Sequence, residues 1–288
     1  MEKVSAFLRR KDIVFSPKRY FIDAMSAMAQ GLFCTLLVGT ILNTLGTQLH
    51  IGFLTDIIVT LGKGDGAVRY TIGGLCSAMV GPGMAVAIGQ ALNAPPMVLF
   101  SLIPVGFATN AMGGAGGPLA VLFVAIIAAE IGKAVSKETK IDILVTPIVT
   151  ILSGIGAAAL IAAPIGTAAS AVGKAIMWAT ELQPFFMGII VSVVIGIALT
   201  LPISSAAICA ALGLTGLAGA AAVAGCCAQM VGFAVMSFRE NRWGGLAAQG
   251  LGTSMLQMGN IVRNPRIWIP PTLASAITGP IATCIFRM

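Results

Sequence analysis

Two stretches of the chain, residues 70–129 and 182–238, contain no Asp, Glu, Lys or Arg. Each is far longer than the roughly 20 apolar residues that take one helix across the hydrocarbon core of a bilayer. Each must therefore hold several crossings. β-Barrel strands would alternate apolar and polar residues, whereas these runs are continuously rich in Ala, Gly, Leu, Ile and Val, so the crossings are helical. The whole composition agrees: 57% hydrophobic and 9% charged, with a mean hydropathy of +0.97, where soluble domains carry about 25% charged residues. The sequence predicts an all-α integral membrane protein with about 8–10 transmembrane helices.

The expected spans are Phe21–Leu45, Ile51–Leu61, Tyr70–Leu92, Met97–Ala111, Pro118–Gly132, Ile143–Ala163, Pro184–Leu201, Leu217–Phe238 and Ile267–Phe286. Gly166–Glu181, with Lys174 and Glu181 among small apolar residues, is expected to lie along the interface. The first 20 residues hold Lys3, Arg9, Arg10, Lys11, Lys18 and Arg19. They are too basic and too interrupted for a cleaved signal peptide and read as a cytosolic amphipathic leader on anionic lipid. Residues 21–288 form one transmembrane domain. The net charge of +7 concentrates in the leader and around Lys133–Lys140, Arg239–Arg242 and Arg263–Arg266, which the positive-inside rule places in the cytoplasm. The basic charge does not point to nucleic acid, because no basic face interleaved with aromatics exists outside the leader.

Two distant stretches resemble copies of one cassette. Near 69–98 the chain reads Arg69-Tyr70, Gly73-Gly74-Leu75, Gly81, Gly89-Gln90, Asn93 and Pro95; near 242–268 it reads Arg242-Trp243-Gly244-Gly245-Leu246, Gly250, Gly259-Asn260 and Asn264-Pro265. Paired broken helices in transporters meet at a binding site. Residues 243–262 have the length of one span but arginines at both ends, so the segment is expected to enter and leave on one side as a re-entrant hairpin. The alternative places Arg263 and Arg266 outside. Basic residues before both copies suggest that they start on the same face, with an inverted relation left open.

Polar side chains at membrane depth are costly and need partners. Gln90, Asn93 and Asn110 accompany the first cassette, and Gln249, Thr253, Ser254, Gln257 and Asn260 the second; these are the candidate solute ligands. Amides and hydroxyls both donate and accept, which suits a neutral hydroxylated solute better than an ion. Trp243 or Trp268 offers an apolar face to a sugar ring. The competing role is helix packing, where small and amide residues serve equally well. Glu130 is a possible coupling residue, but Lys133 three positions on shares its helix face and predicts an ion pair. Asp23 and Glu181 read as boundary markers, and the lone His50 as a loop residue. No cofactor, metal site or catalytic constellation is expected: Cys34, Cys76, Cys209, Cys226, Cys227 and Cys284 sit in apolar runs without ligand spacing, and no serine or cysteine has a base beside it. Gly113-Gly114-Ala115-Gly116-Gly117-Pro118 lacks the lysine of a phosphate loop and reads as a helix break.

The stretches Ala-Glu-Ile-Gly-Lys (129–133), Lys-Ile-Asp-Ile-Leu-Val-Thr-Pro-Ile-Val-Thr (140–150), Gly-Leu-Gly-Thr-Ser-Met-Leu-Gln (250–257) and Asn-Pro-Arg-Ile-Trp-Ile-Pro-Pro (264–271) resemble the membrane component IIC of the bacterial sugar phosphotransferase system, in the branch similar to perfringolysin-regulator-like proteins. The resemblance covers nearly the whole chain. It implies a bacterial inner-membrane homodimer, with re-entrant hairpins around a sugar site carried between faces by an elevator-like movement. Sugar-specific members place a glutamate and a histidine against the substrate; no matching motif is present, so neither role passes to Glu130, Glu181 or His50. Phosphoryl transfer would need separate IIA and IIB subunits. Three readings follow: a IIC-type permease for a sugar or polyol, an ion-coupled transporter on the same scaffold, and a sensor or regulator that signals to a cytosolic partner through the leader.

Overall fold

The computed structural model describes residues 2–62, 67–180, 183–201 and 216–286. A short amphipathic helix, α1 (Glu2–Arg10), precedes the first span, α2 (Lys18–Gln48). The expected span at Ile51–Leu61 is not a helix. Beyond one turn at Gly52–Thr55, its residues enter an antiparallel hairpin of β1 (Val59–Leu61) and β2 (Val68–Tyr70), with Thr60 opposite Arg69. The physical reason is length and composition: Gly52, Asp56 and Gly62 interrupt an apolar run too short to cross, and β-branched Ile57, Ile58, Val59 and Thr60 favour extended backbone.

The remaining elements are α3 (Ile72–Ala78), α4 (Val80–Ala91), α5 (Pro96–Gly113), α6 (Gly117–Val135), α7 (Asp142–Thr180), α8 (Pro184–Thr200), α9 (Gly216–Met236), α10 (Phe238–Ala247), α11 (Met258–Arg263) and the last span, α12 (Pro265–Phe286). Six described helices are long and apolar enough to cross a membrane, seven if the bent pair α3–α4 is one span, and the 17-residue α8 falls just short. Helix α7 runs without a break through residues 166–180, the stretch expected along the interface. Glu181 and Cys209 lie outside the described residues. The glycine run at 113–118 is a helix break, a single 3-10 turn at Gly114–Gly116 with Gly114 at φ 51°.

Large apolar side chains point outward from these helices, among them Phe100, Leu152, Leu160, Val223, Leu273 and Ile277. That pattern suits a lipid solvent. Inside, Met28, Met84, Ile88, Leu102, Leu122 and Phe233 belong to one core that also takes in Met255, Met258 and Ile261. Helices α3 and α4 return antiparallel to α2: Gly83 of α4 lies against Gly31 and Thr35, and Gly73 of α3 against Gly39 and Asn43. Helices α8, α9 and α12 form a second group in which backbones touch. A Cβ on Gly225 would collide with the Ser192 carbonyl, and one on Gly279 with the Gly188 carbonyl. Between them Ser192 donates to Ser275 O at 2.6 Å, and Gln229, fully buried, donates to Thr272 and Ser275.

Small residues at such contacts let dispersion act over whole backbones, which is how helices associate where lipid removes the hydrophobic drive. Gly225→Ala should therefore lower stability by about 1–3 kcal/mol through overpacking. Gly156→Ala, at an exposed helical position with open space around it, should be neutral or stabilising by up to about 1 kcal/mol. Thermal melts in detergent compare the two.

A candidate solute site at the returning hairpin

The second cassette is a hairpin, and each turn of it has a local cause. Helix α9 ends at Met236; Arg242 adopts φ 52° and ψ −149°, outside helical space. Gly245 follows where a Cβ would strike the folded Asn241 side chain. The descending arm reaches Gly252 and stops at Thr253, extended at φ −152° and ψ 141°, whose hydroxyl accepts from Met255 N at 3.2 Å and so caps the returning arm. That arm ends at Asn264, also extended. Pro265 disfavours helical backbone at the residue before it, and Asn264 Oδ1 accepts from Arg266 N at 3.3 Å.

Depth is readable against α2. Gly252 packs on Phe33 and Leu37, while Gly259 packs on Ile22 and Ser26; the eleven residues of helix between these contacts are about 16 Å. The hairpin therefore goes in by that distance and comes back, and both arms end together: Glu240 and Asn241 line the same pocket as Gln257 and Asn260. The pocket holds about 360 Å³, with Phe233, Met236, Ser237 and Ile267 completing its wall, a size within the range of small-molecule sites.

The eight candidate ligands separate. Gln257 is buried and Asn260 exposed; Asn260 Nδ2 donates to Gln257 Oε1 at 2.8 Å. This leaves Gln257 Nε2 as a donor and Asn260 Oδ1 as an acceptor. Gln249 stands one layer behind, donating to Ser237 Oγ at 3.0 Å. Thr253 is the cap just described, and Ser254 shares a hydrogen bond with Thr200 at 3.0 Å that ties the hairpin tip to the end of α8. Trp243 is exposed and edge-on to Phe238, with centroids 5.4 Å apart. Trp268 is partly buried against the main core. Glu240, Asn241 and Ser237 are not among the candidates that the sequence offers, because the Arg-Glu-Asn-Arg string has the composition of a charged loop.

The first cassette does something else. Helices α3 and α4 bend by 53° at Met79 but continue in one direction, from beside Asn43 near one end of α2 to beside Arg19 at the other. Its start and that of the hairpin therefore lie at opposite ends of α2, so the same-face reading is corrected. Asn110 packs at the α5–α6 turn against Gly81 and Gly117, and Gln90 is exposed. Asn93, at φ 55°, donates to Asp12 Oδ2 at 3.0 Å. None of these three lines the hairpin pocket.

Asn93 belongs to a polar junction with the leader. Arg19 reaches both Asp12 oxygens, at 2.6 and 3.2 Å, and Leu92 O at 2.7 Å. Lys133, 2% exposed, donates to Asp12 O at 2.8 Å and Leu92 O at 2.9 Å and lies 3.0 Å from Glu130 Oε2. The last is an ion pair, with no hydrogen bond to Glu130 Oε2. Tyr20 OH donates to Glu130 Oε1 at 3.2 Å. The pair expected from the Glu130–Lys133 spacing is thus present. The leader, the α6–α7 loop and both ends of the hairpin collect at this one end of α2, which carries the four basic clusters of the sequence.

Residues 22–288 match the family model for the phosphotransferase system EIIC. The chain belongs to the phosphotransferase system EIIC family. No curated protein and no solved structure matches it. As an EIIC protein it is a multi-pass membrane transporter component that works with a solute and with separate phosphotransferase components. The leader lies N-terminal to the matched EIIC residues. The Arg19 guanidinium holds the Asp12 carboxyl at about 2, below its usual 3.8. A carboxyl lowered in the folded state stabilises fully above its ordinary value and loses that contribution as pH falls towards the folded one. The stability gap between wild type and Asp12→Asn should accordingly be complete above pH 3.8 and close towards pH 2, as thermal melts across that window would record.

Proposed function

We propose that the chain carries a small neutral hydroxylated solute, a sugar or polyol, by alternating access, and binds it in the pocket at the base of the hairpin. The observation that carries this reading is the Gln257–Asn260 amide pair, which presents one spare donor and one spare acceptor beside Glu240 and Asn241 in that pocket. A vicinal diol both donates and accepts, and such a pair of groups suits it. Backbone breaks at Arg242, Thr253 and Asn264 supply joints on which the hairpin can shift with the solute, as broken helices do in other carriers.

The protein sits in a bacterial inner membrane with its N-terminus and the basic end of α2 in the cytoplasm, consistent with the concentration of Lys and Arg there. It works as a homodimer, and separate IIA and IIB subunits supply phosphoryl groups to the solute. Ion coupling through Glu130 is the weaker reading, because Lys133 and Tyr20 already occupy its two oxygens.

A panel of sugars, polyols and organic acids tested by thermal stabilisation of the detergent-purified protein checks the proposal. A true ligand at 100 times its dissociation constant should stabilise by about 2.7 kcal/mol. Gln257→Ala and Asn260→Ala should each weaken it by about 1–3 kcal/mol, or roughly 5- to 150-fold. A hit indifferent to both substitutions, or a panel without hits, overturns the assignment of the site.

A further inference from the structure

The hairpin of β1 and β2 is a two-stranded sheet with unlike faces. Cross-strand partners point to one side of a sheet and successive residues to opposite sides. Val59 pairs with Tyr70 and Leu61 with Val68, so these four form one apolar and aromatic side, while Thr60 and Arg69 share the other. Towards the tip the apolar side is open: Leu61 is 55% exposed and Val68 50%. Phe53, 73% exposed, and Ile57 add apolar surface in the segment that leads into β1. A lone two-stranded hairpin is marginal in water and needs something against its apolar face.

The chain fixes the level at which this face stands. Thr71, directly after β2, donates to Asn43 Oδ1 at 2.9 Å, and Gly73 lies against Gly39 and Asn43. On the other side of the hairpin the chain folds back along α2, with Leu54 and Thr55 against Gly46. Both feet therefore stand within about 5 Å of one level on α2. From there α3 and α4 follow a path of about 30 Å to the leader end, the thickness of a hydrocarbon core. The feet are thus at the far boundary between acyl chains and headgroups. The lipid-facing surface of α2 reaches the same level through Ile41 and Leu45, both exposed.

We infer that the β1–β2 hairpin lies on the leaflet remote from the leader, with Val59, Leu61, Val68 and Tyr70 sunk among the acyl chains and Thr60 and Arg69 turned to the headgroups. The occupant of the apolar face is lipid. Two features select it over a second copy of the chain. The face stands at a level where acyl chains are the solvent, continuous with the exposed apolar surface of α2. Its polar side carries a guanidinium at the height of the lipid phosphates, which Arg69 can engage with two parallel hydrogen bonds. Tyr70, at the foot, is a residue type enriched at this boundary. Because the hairpin lies at the boundary and not within the core, its unpaired strand edges still reach water and headgroups, as they must. The membrane supplies the layer that two strands lack. The inference does not rest on the solute site at the returning hairpin.

Photocrosslinking from the two faces tests it, on the full-length protein in vesicles of phosphatidylethanolamine and phosphatidylglycerol. A benzophenone side chain replaces Leu61, Val68 or, as the opposite-face control, Thr60. Lipid adducts are read by mass and covalent dimers on denaturing gels. Leu61 and Val68 should each give more than about threefold the lipid adduct of Thr60. Thr60 and Leu61 are neighbours on one exposed strand, so the contrast between them reports the face and not the folding of the variants. A lower ratio overturns the inference. So does covalent dimer in excess of lipid adduct at Leu61 and Val68, which assigns the face to a second copy, and so does the absence of adducts at all three positions, which leaves the hairpin in water.

Discussion

At membrane depth an unpaired backbone N–H or C=O has no water to bond, so a helix can be interrupted only where other protein groups replace the lost partner. The interruptions here follow that constraint. Thr253 caps the returning arm with its own hydroxyl, Asn264 does the same for the start of the last span, and the Leu92 carbonyl at the end of α4 takes both Arg19 and Lys133. The replacement is mostly local in the hairpin, which leaves its joints self-contained. At the first cassette it is supplied by side chains from distant elements, and the end of α4 is therefore anchored to parts of the chain 41 and 73 residues away.

Much of this was legible in the sequence because the solvent is so demanding. Long uncharged runs leave helices as the only economical way to satisfy the backbone, and arginines on both sides of one span-length segment favour its turning back over an exit that leaves Arg263 and Arg266 outside. The Glu130–Lys133 pair followed from helical spacing alone. The misread segment is instructive: Ile51–Leu61 is apolar enough to suggest a span, yet its length and β-branched run fit a hairpin at the end of α2. Hydropathy could not separate the two.

The site was harder to read. A repeat in sequence promises equivalence, but spacing does not say whether a broken helix continues or reverses; that depends on a few φ angles and on what lies alongside. The first copy bends at Met79 and goes on, so its Asn93 ends at the leader junction, whereas the second reverses at Thr253 and brings Gln257 and Asn260 back beside Glu240 and Asn241. Glu240 escaped notice because a carboxylate between two arginines looks like a solvated loop. Its place in the pocket comes from the left-handed turn at Arg242, for which Trp243-Gly244-Gly245 gave only a faint signal.

The contacts among α8, α9 and α12 bear on how force would travel through the molecule. Where Gly225 meets Ser192 and Gly279 meets Gly188, no gap exists for a Cβ, so one helix cannot ratchet past its neighbour by a turn without driving a side chain into backbone. These three helices are packed backbone to backbone as one group. One end is fastened where Thr283 bonds the Pro184 carbonyl, and the other holds the hairpin tip through Thr200 and Ser254. A tilt of this group as one body would carry the hairpin tip with it.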